Sequence, residues 1–269
     1  MTKKLKTIVL AFSGLIVYSA LITTLTYLIS DPIYAKLVAR ISVILLGGAY
    51  LKTVLNEHKV YNPPSSKLIG AMIAAILTFV AASFVTTNFI LISTQTDAAY
   101  SQTSLASDNI FLSVIMSVFL APIAEEIIFR GFMYKQLAKF NVFVAMFVSS
   151  LVFALWHGTL VHMYAATLGG MLFCLIYLKT SKLRYCIAAH ILFNGLTLLL
   201  GLIVPLYAIN LISVIVLNAL LLAAFVNLLK QECASSAAKP KSVLTDEEKR
   251  RREEISRIVS EVMDEKSQH

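Results

Sequence analysis

Six polar side chains interrupt the apolar stretches of this chain, and their types could do chemistry. Glu125, Glu126 and Arg130 lie in APIAEEIIFRG, His157 lies in FALWHG, and His190 and Asn194 lie in AAHILFNG. Glu126 and Arg130 are four residues apart, so on a helix they share a face and can pair. Glu125 is turned about 100° from Glu126 on such a helix, so the two carboxylates must have different partners. His190 and Asn194 repeat the four-residue spacing, as do Phe153 and His157. A carboxylate, two imidazoles and an amide drawn from separate segments have three readings. They can bind a metal, since imidazole and carboxylate suit zinc. They can run hydrolysis without one: carboxylate and imidazole activate water, while imidazole and amide donate to an oxyanion. They can also be a structural polar knot that joins helices. Neither the HExxH zinc signature nor the GxSxG nucleophile elbow occurs in the chain.

The elements that must position these groups are membrane helices. Of 269 residues, 58% are hydrophobic and 14% charged, and the mean hydropathy is +0.79. A soluble domain is roughly half apolar and a quarter charged, so that class is excluded. Few Gly, few Pro and three Cys exclude collagen-like, low-complexity and disulfide-scaffold chains. Apolar runs predict an all-α, polytopic transmembrane bundle of about eight spans, at 7–29, 37–56, 68–93, 110–136, 141–157, 161–178, 184–204 and 206–229. An ionisable group within such a span costs roughly 2.5–3.5 kcal/mol on insertion scales and marks a functional candidate. Pro122 is a candidate kink, and Gly169–Gly170 would let a neighbouring helix approach closely.

Charge gives the orientation. The first 229 residues hold 14 basic and six acidic groups; residues 230–269 hold nine of each, so the net +8 belongs to the membrane part. The basic residues cluster in alternate loops, at Lys52, Lys59 and Lys67, at Lys135 and Lys139, at Lys179, Lys182 and Arg184, and at Lys230. That alternation predicts both termini in the cytoplasm and a polar external loop at 94–109. Single basic residues scattered between apolar runs do not form the patch of a nucleic-acid binder. Cys174, Cys186 and Cys233 have no paired spacing and read as reduced thiols. Residues 231–269 form a charged tail, with a predicted helix over 245–266 whose start, Thr245 and Glu248, suits a capping box. It would lie against the protein or membrane, or bind a partner.

Three motifs carry a resemblance to a known family. EEIIFR at 125–130 is EExxxR, FALWH at 153–157 is FxxxH, and HILFN at 190–194 is HxxxN. Their order and their roughly thirty-residue separations resemble the CPBP intramembrane proteases, the CAAX proteases and bacteriocin-processing enzymes also called the abortive-infection family. The resemblance covers residues 110–204. It implies an eight-helix intramembrane endopeptidase with Glu125 as the water-activating base and His157 beside it. It further implies His190 and Asn194 as oxyanion stabilisers or ligands, and Glu126 with Arg130 as a structural pair. Both a metalloprotease and a metal-free glutamate mechanism have been argued for the family. The cofactor expectation is therefore none, or a divalent metal such as zinc on Glu125, His157 and His190. Asn is a poor zinc ligand, which favours the metal-free version.

The resulting division is 1–109 as N-terminal transmembrane helices, 110–204 as the catalytic core, 205–230 as the last transmembrane helix, and 231–269 as the cytoplasmic tail. The expected activity is hydrolysis of a peptide bond in a membrane-associated peptide or protein, of the CAAX or bacteriocin and signal-peptide type, including a role in bacteriocin self-immunity. The rival is a non-catalytic immunity or regulatory protein that binds a peptide or partner protein. The expected surroundings are membrane lipid, in a bacterial inner membrane, without nucleic acid. One geometric difficulty stands. Straight perpendicular spans would put His157 near the outer end of its helix and His190 about two turns from the inner end of its own.

Overall fold

The computed structural model describes residues 2–54, 63–94, 109–203 and 210–231. Most of the loop 94–109, and the tail beyond Gln231 with Thr245, Glu248 and Cys233, lie outside the described residues. Eight helices occur among the described residues. They are α1 (Lys3–Leu28), α2 (Pro32–Ser42 continuing through Val43–Gly47 and Gly48–Val54), α3 (Ser66–Ser93), α4 (Ile110–Leu137), α5 (Val142–Trp156), α6 (Leu160–Thr180), α7 (Leu183–Ile203) and α8 (Leu211–Lys230). Helices satisfy every internal N–H and C=O within one segment, which is what hydrocarbon demands. Seven are long and apolar enough to cross a membrane, so the chain is a multi-pass membrane protein.

One element departs from the spans expected. The second starts earlier, because the Asp31 carboxylate accepts the Ile33 amide at 2.8 Å and Pro32 fits the first turn. The fifth, α5, keeps its expected bounds to within one residue at each end and has 15 residues. It rises about 22 Å, less than a hydrocarbon core of about 30 Å. It stops at His157 because Gly158 turns the chain with φ +73°, and the Thr159 hydroxyl then accepts the His162 amide to start α6. His157 therefore ends a short helix and need not stand at the outer surface, which removes the depth difficulty.

The helices pack as two groups joined by α6. Leu68, Phe79 and Val80 of α3, Phe173 and Ile176 of α6, Ala189 of α7 and Leu228 of α8 form one core. Tyr18 of α1, Ala39 of α2, Ile128, Phe129 and Met133 of α4, Phe153 of α5 and Ala166 of α6 form the other. Lipid tails provide no hydrophobic drive between helices, so close backbone approach matters more. The Gly169–Gly170 pair provides it: a Cβ on Gly170 would stand 2.9 Å from the Ser150 Cα, and one on Gly169 would stand 2.8 Å from the Phe79 ring. Ser150 belongs to α5 and Phe79 to α3, so this pair seats α6 between the two groups.

The fourth helix is irregular. It is π-helical over Met116–Leu120 and again over Ile127–Tyr134, on either side of Ala121–Glu126. Pro122 lacks an amide hydrogen and so cannot complete the α ladder; the wide turn before it absorbs the break. Such π turns interrupt helices frequently at functional sites, and here they bracket the Glu125–Glu126 pair.

Orientation can be tested directly. With the N-terminus cytoplasmic, a thiol reagent that cannot cross membranes should label Ser101→Cys on intact cells and Ser65→Cys only after the cells are opened. The reverse pattern would overturn the charge argument.

Candidate active site

The centre of the site is a buried ionic knot on α4. Glu126 and Arg130 are both completely buried, and Arg130 Nη1 donates to Glu126 Oε1 at 2.9 Å. Arg130 Nη2 donates to the Gly170 carbonyl at 3.1 Å. The guanidinium also lies over the rings of Phe153 and Phe173, 4.8 and 5.2 Å from their centroids. One arginine therefore ties α4 to α5 and α6, with hydrogen bonds and cation–π contacts compensating its lost hydration.

The same carboxylate oxygen orients His190. His190 Nδ1 stands 2.8 Å from Glu126 Oε1. A carboxylate only accepts, so Nδ1 carries the hydrogen, and Nε2 keeps its lone pair in the neutral ring. The ring stacks on Phe173, with centroids 4.7 Å apart and planes 25° apart. Nε2 then faces Glu125 Oε2 at 3.8 Å. That gap is too long for a hydrogen bond and is of the kind a bridging water fills.

The remaining site residues approach from two sides. His157 Nδ1 donates to the Phe153 carbonyl at 2.8 Å, so its Nε2 likewise keeps a lone pair in the neutral ring. Phe153 touches both imidazoles, with centroids 4.6 Å from His157 and 5.9 Å from His190. The short α5 thus brings the FxxxH and HxxxN motifs together through the Phe of the former. Asn194 stands one turn beyond His190 on α7, and its Nδ2 donates to the Ser117 carbonyl in the first π turn of α4 at 2.8 Å. His162 sits apart from the knot, with Nδ1 2.6 Å from the Thr159 hydroxyl.

Four of the six residues singled out in the sequence, Glu125, Glu126, Arg130 and His190, form one cluster. His157 joins through Phe153, and Asn194 is anchored on α4. The imidazole that approaches Glu125 is His190; His157 makes no ion pair with it. Phe173 and the Gly170 carbonyl have no signal in the sequence beyond helical spacing. The structure also bears on a metal. Among the described residues, no group of three His, Cys, Asp or Glu side chains could hold an ion. Glu125, His157 and His190 are not gathered as a three-ligand set, so the arrangement does not fit a zinc centre of that kind.

The segment that carries the three motifs is similar to known proteins. Residues 107–196 match the family model described as type II CAAX prenyl endopeptidase Rce1-like. The chain is 35% identical over 92 residues to a protein of Bacillus subtilis (strain 168) named "Putative membrane peptidase YdiL", covering 34% of this chain and 38% of that protein. It is 30% identical over 93 residues to an uncharacterized protein of Mycoplasma capricolum subsp. capricolum, covering 33% of this chain and 27% of that protein. The chain thus matches less than two thirds of the length of either relative. No solved structure matches it.

Proposed function

On the premise that residues 107–196 are an Rce1-like segment of the CPBP family, we propose that the chain is an intramembrane endopeptidase with Glu125 as its general base. The observation that carries this reading is the approach of Glu125 Oε2 to His190 Nε2 at 3.8 Å, with the far side of the imidazole held by Glu126. A water between the two groups would give its proton to the Glu125 carboxylate as its oxygen attacks the scissile carbonyl. The oxyanion would be met by Asn194 Nδ2, which keeps a second amide hydrogen. Glu125 would then pass the proton to the departing amine as the C–N bond breaks. Glu126 and Arg130 would take no proton; they would fix the tautomer and orientation of His190, as carboxylates do for catalytic and ligating histidines.

Residues 110–204 are the catalytic core in this reading, with α1–α3 and α8 forming its walls and the tail outside it. The substrate is a peptide or protein in or at the membrane; bacteriocin immunity and peptide-signal maturation are both uses of such an activity. The test is cleavage of a fluorogenic peptide library by purified protein in liposomes. Wild type should release defined fragments, and His190→Ala protein of equal yield should not. Equal cleavage by both would remove the site from the chemistry.

A further inference from the structure

One charge inside the membrane is not used by this mechanism. Arg40 lies midway along α2, nine residues after Asp31 and outside the family-like segment. A single arginine at that depth is unfavourable unless paired or functional. Arg130 shows how a buried guanidinium is neutralised here: it has a carboxylate, a carbonyl and two aromatic rings. Arg40 has a 3.5 Å contact from Nη1 to the Met116 carbonyl, a 3.8 Å contact to the Met116 sulfur and a hydrogen bond with the Tyr18 side chain, all of them neutral partners. Its Nε, like that of Arg130, is buried without a hydrogen-bond partner; the difference is that among the described residues no carboxylate pairs with Arg40.

Its placement points to the site. Met116 and Ser117 are consecutive residues of the first π turn of α4; Arg40 docks on the carbonyl of one and Asn194 on that of the other. Tyr18, buried on α1, lies within electrostatic reach of both Arg40 and Glu125. Its ring also approaches Trp156, the residue before His157, at 5.7 Å. The guanidinium therefore stands on the same π turn of α4 that anchors Asn194, on the wall formed by α1 and α2.

We propose that Arg40 is the receptor for a carboxylate of the peptide substrate. A guanidinium presents five donors in a planar fork. That fork matches a carboxylate bidentately, which makes arginine the residue of choice for this recognition. The carboxylate is either the free C-terminus of the peptide or an acidic side chain near the scissile bond. The inference rests on the endopeptidase reading, and it adds a specificity determinant from helices that the family match does not cover.

The test uses two peptide pairs with full-length protein in liposomes. One pair differs only in a C-terminal acid or amide, the other only in Glu or Gln beside the cleavage site. Wild type should prefer the acid member of one pair by about tenfold in kcat/KM, the scale of a charged hydrogen-bonded contact. The pair that shows the preference names the source. Arg40→Met should erase that preference, and Arg40→Lys, which keeps the charge but not the fork, should retain only part of it. Binding of the same labelled peptides to Glu125→Gln protein, read by fluorescence anisotropy, reports the contact without chemistry. An acid preference in binding that Arg40→Met removes sustains the proposal even where cleavage is absent, and in that case only the endopeptidase reading fails. Equal handling of acid and amide by wild type, or a preference that survives Arg40→Met, overturns it. If Arg40→Met does not fold, an undiminished preference in Arg40→Lys does the same.

Discussion

Glu125→Gln is expected to lower peptide hydrolysis by about 10²–10⁴-fold, the usual contribution of a positioned general base, while insertion and yield stay normal. The substitution keeps the shape of the side chain and removes the proton acceptor. Its structural effect should be small. Glu125 has no charged partner one turn away, since position 121 is Ala and position 129 is Phe. The ionisable group that approaches it, His190 Nε2, lies 3.8 Å away, beyond hydrogen-bond reach. The ionic knot runs through Glu126, so replacing Glu125 leaves both the Arg130 pair and the His190 tautomer in place. His157→Ala and His190→Ala should be comparably damaging, and Asn194→Ala clearly damaging but less so. His162→Ala should be mild, because that ring is engaged with Thr159 at the start of α6. Initial rates with purified, equally loaded variants measure all of these. If Glu125→Gln protein cleaves or protects cells at the wild-type level, the chain is a peptide-binding immunity or regulatory protein and its carboxylate has another use.

Neutralising one member of the Glu126–Arg130 pair should have the largest effect on stability. Both side chains are completely buried, and removing one partner leaves the other charge in a medium that cannot solvate it. Breaking a buried pair in this way typically costs about 3–5 kcal/mol. Glu126→Gln can still accept hydrogen bonds but strands the guanidinium between Phe153 and Phe173. Arg130→Met fills the space with apolar atoms but leaves a carboxylate with only His190 Nδ1 beside it. Each single variant should therefore show less folded protein and a lower melting temperature. The double variant, with no stranded charge, should be less harmed than the sum of the two. Size-exclusion yield and thermal unfolding of the four proteins close a double-mutant cycle. Strict additivity would show that the two groups do not interact. Because Glu126 also holds His190, the Glu126→Gln protein that does fold should be slower per molecule than its yield alone explains.

The membrane class, the positions of most helices, the motif residues and the Glu126–Arg130 pair could all be read from the chain. These depend on local rules: hydrocarbon requires long apolar helices, and a four-residue spacing places two side chains on one face. Span boundaries moved where a cap intervened, as at Asp31 and Pro32. What spacing could not say is which groups from different helices meet. That Glu126 would hold His190, and that His190 rather than His157 would face Glu125, follows from how α7 packs against α4 and where α5 stops. The bounds of α5 were legible, because Asn141 and the Gly158 turn close a short apolar run, but not that Phe153 on it would touch both imidazoles. The π turns were hidden because no residue type forces them, and Pro122 alone reads as a simple kink. The contacts of Arg40 were hidden as well, since they reach residue 116 on α4, and no periodicity within α2 reports a partner that is distant in the chain and near in space. Local geometry is written along the chain, whereas the joining of α2, α4, α5 and α7 into one site depends on close packing between surfaces that no single helix contains.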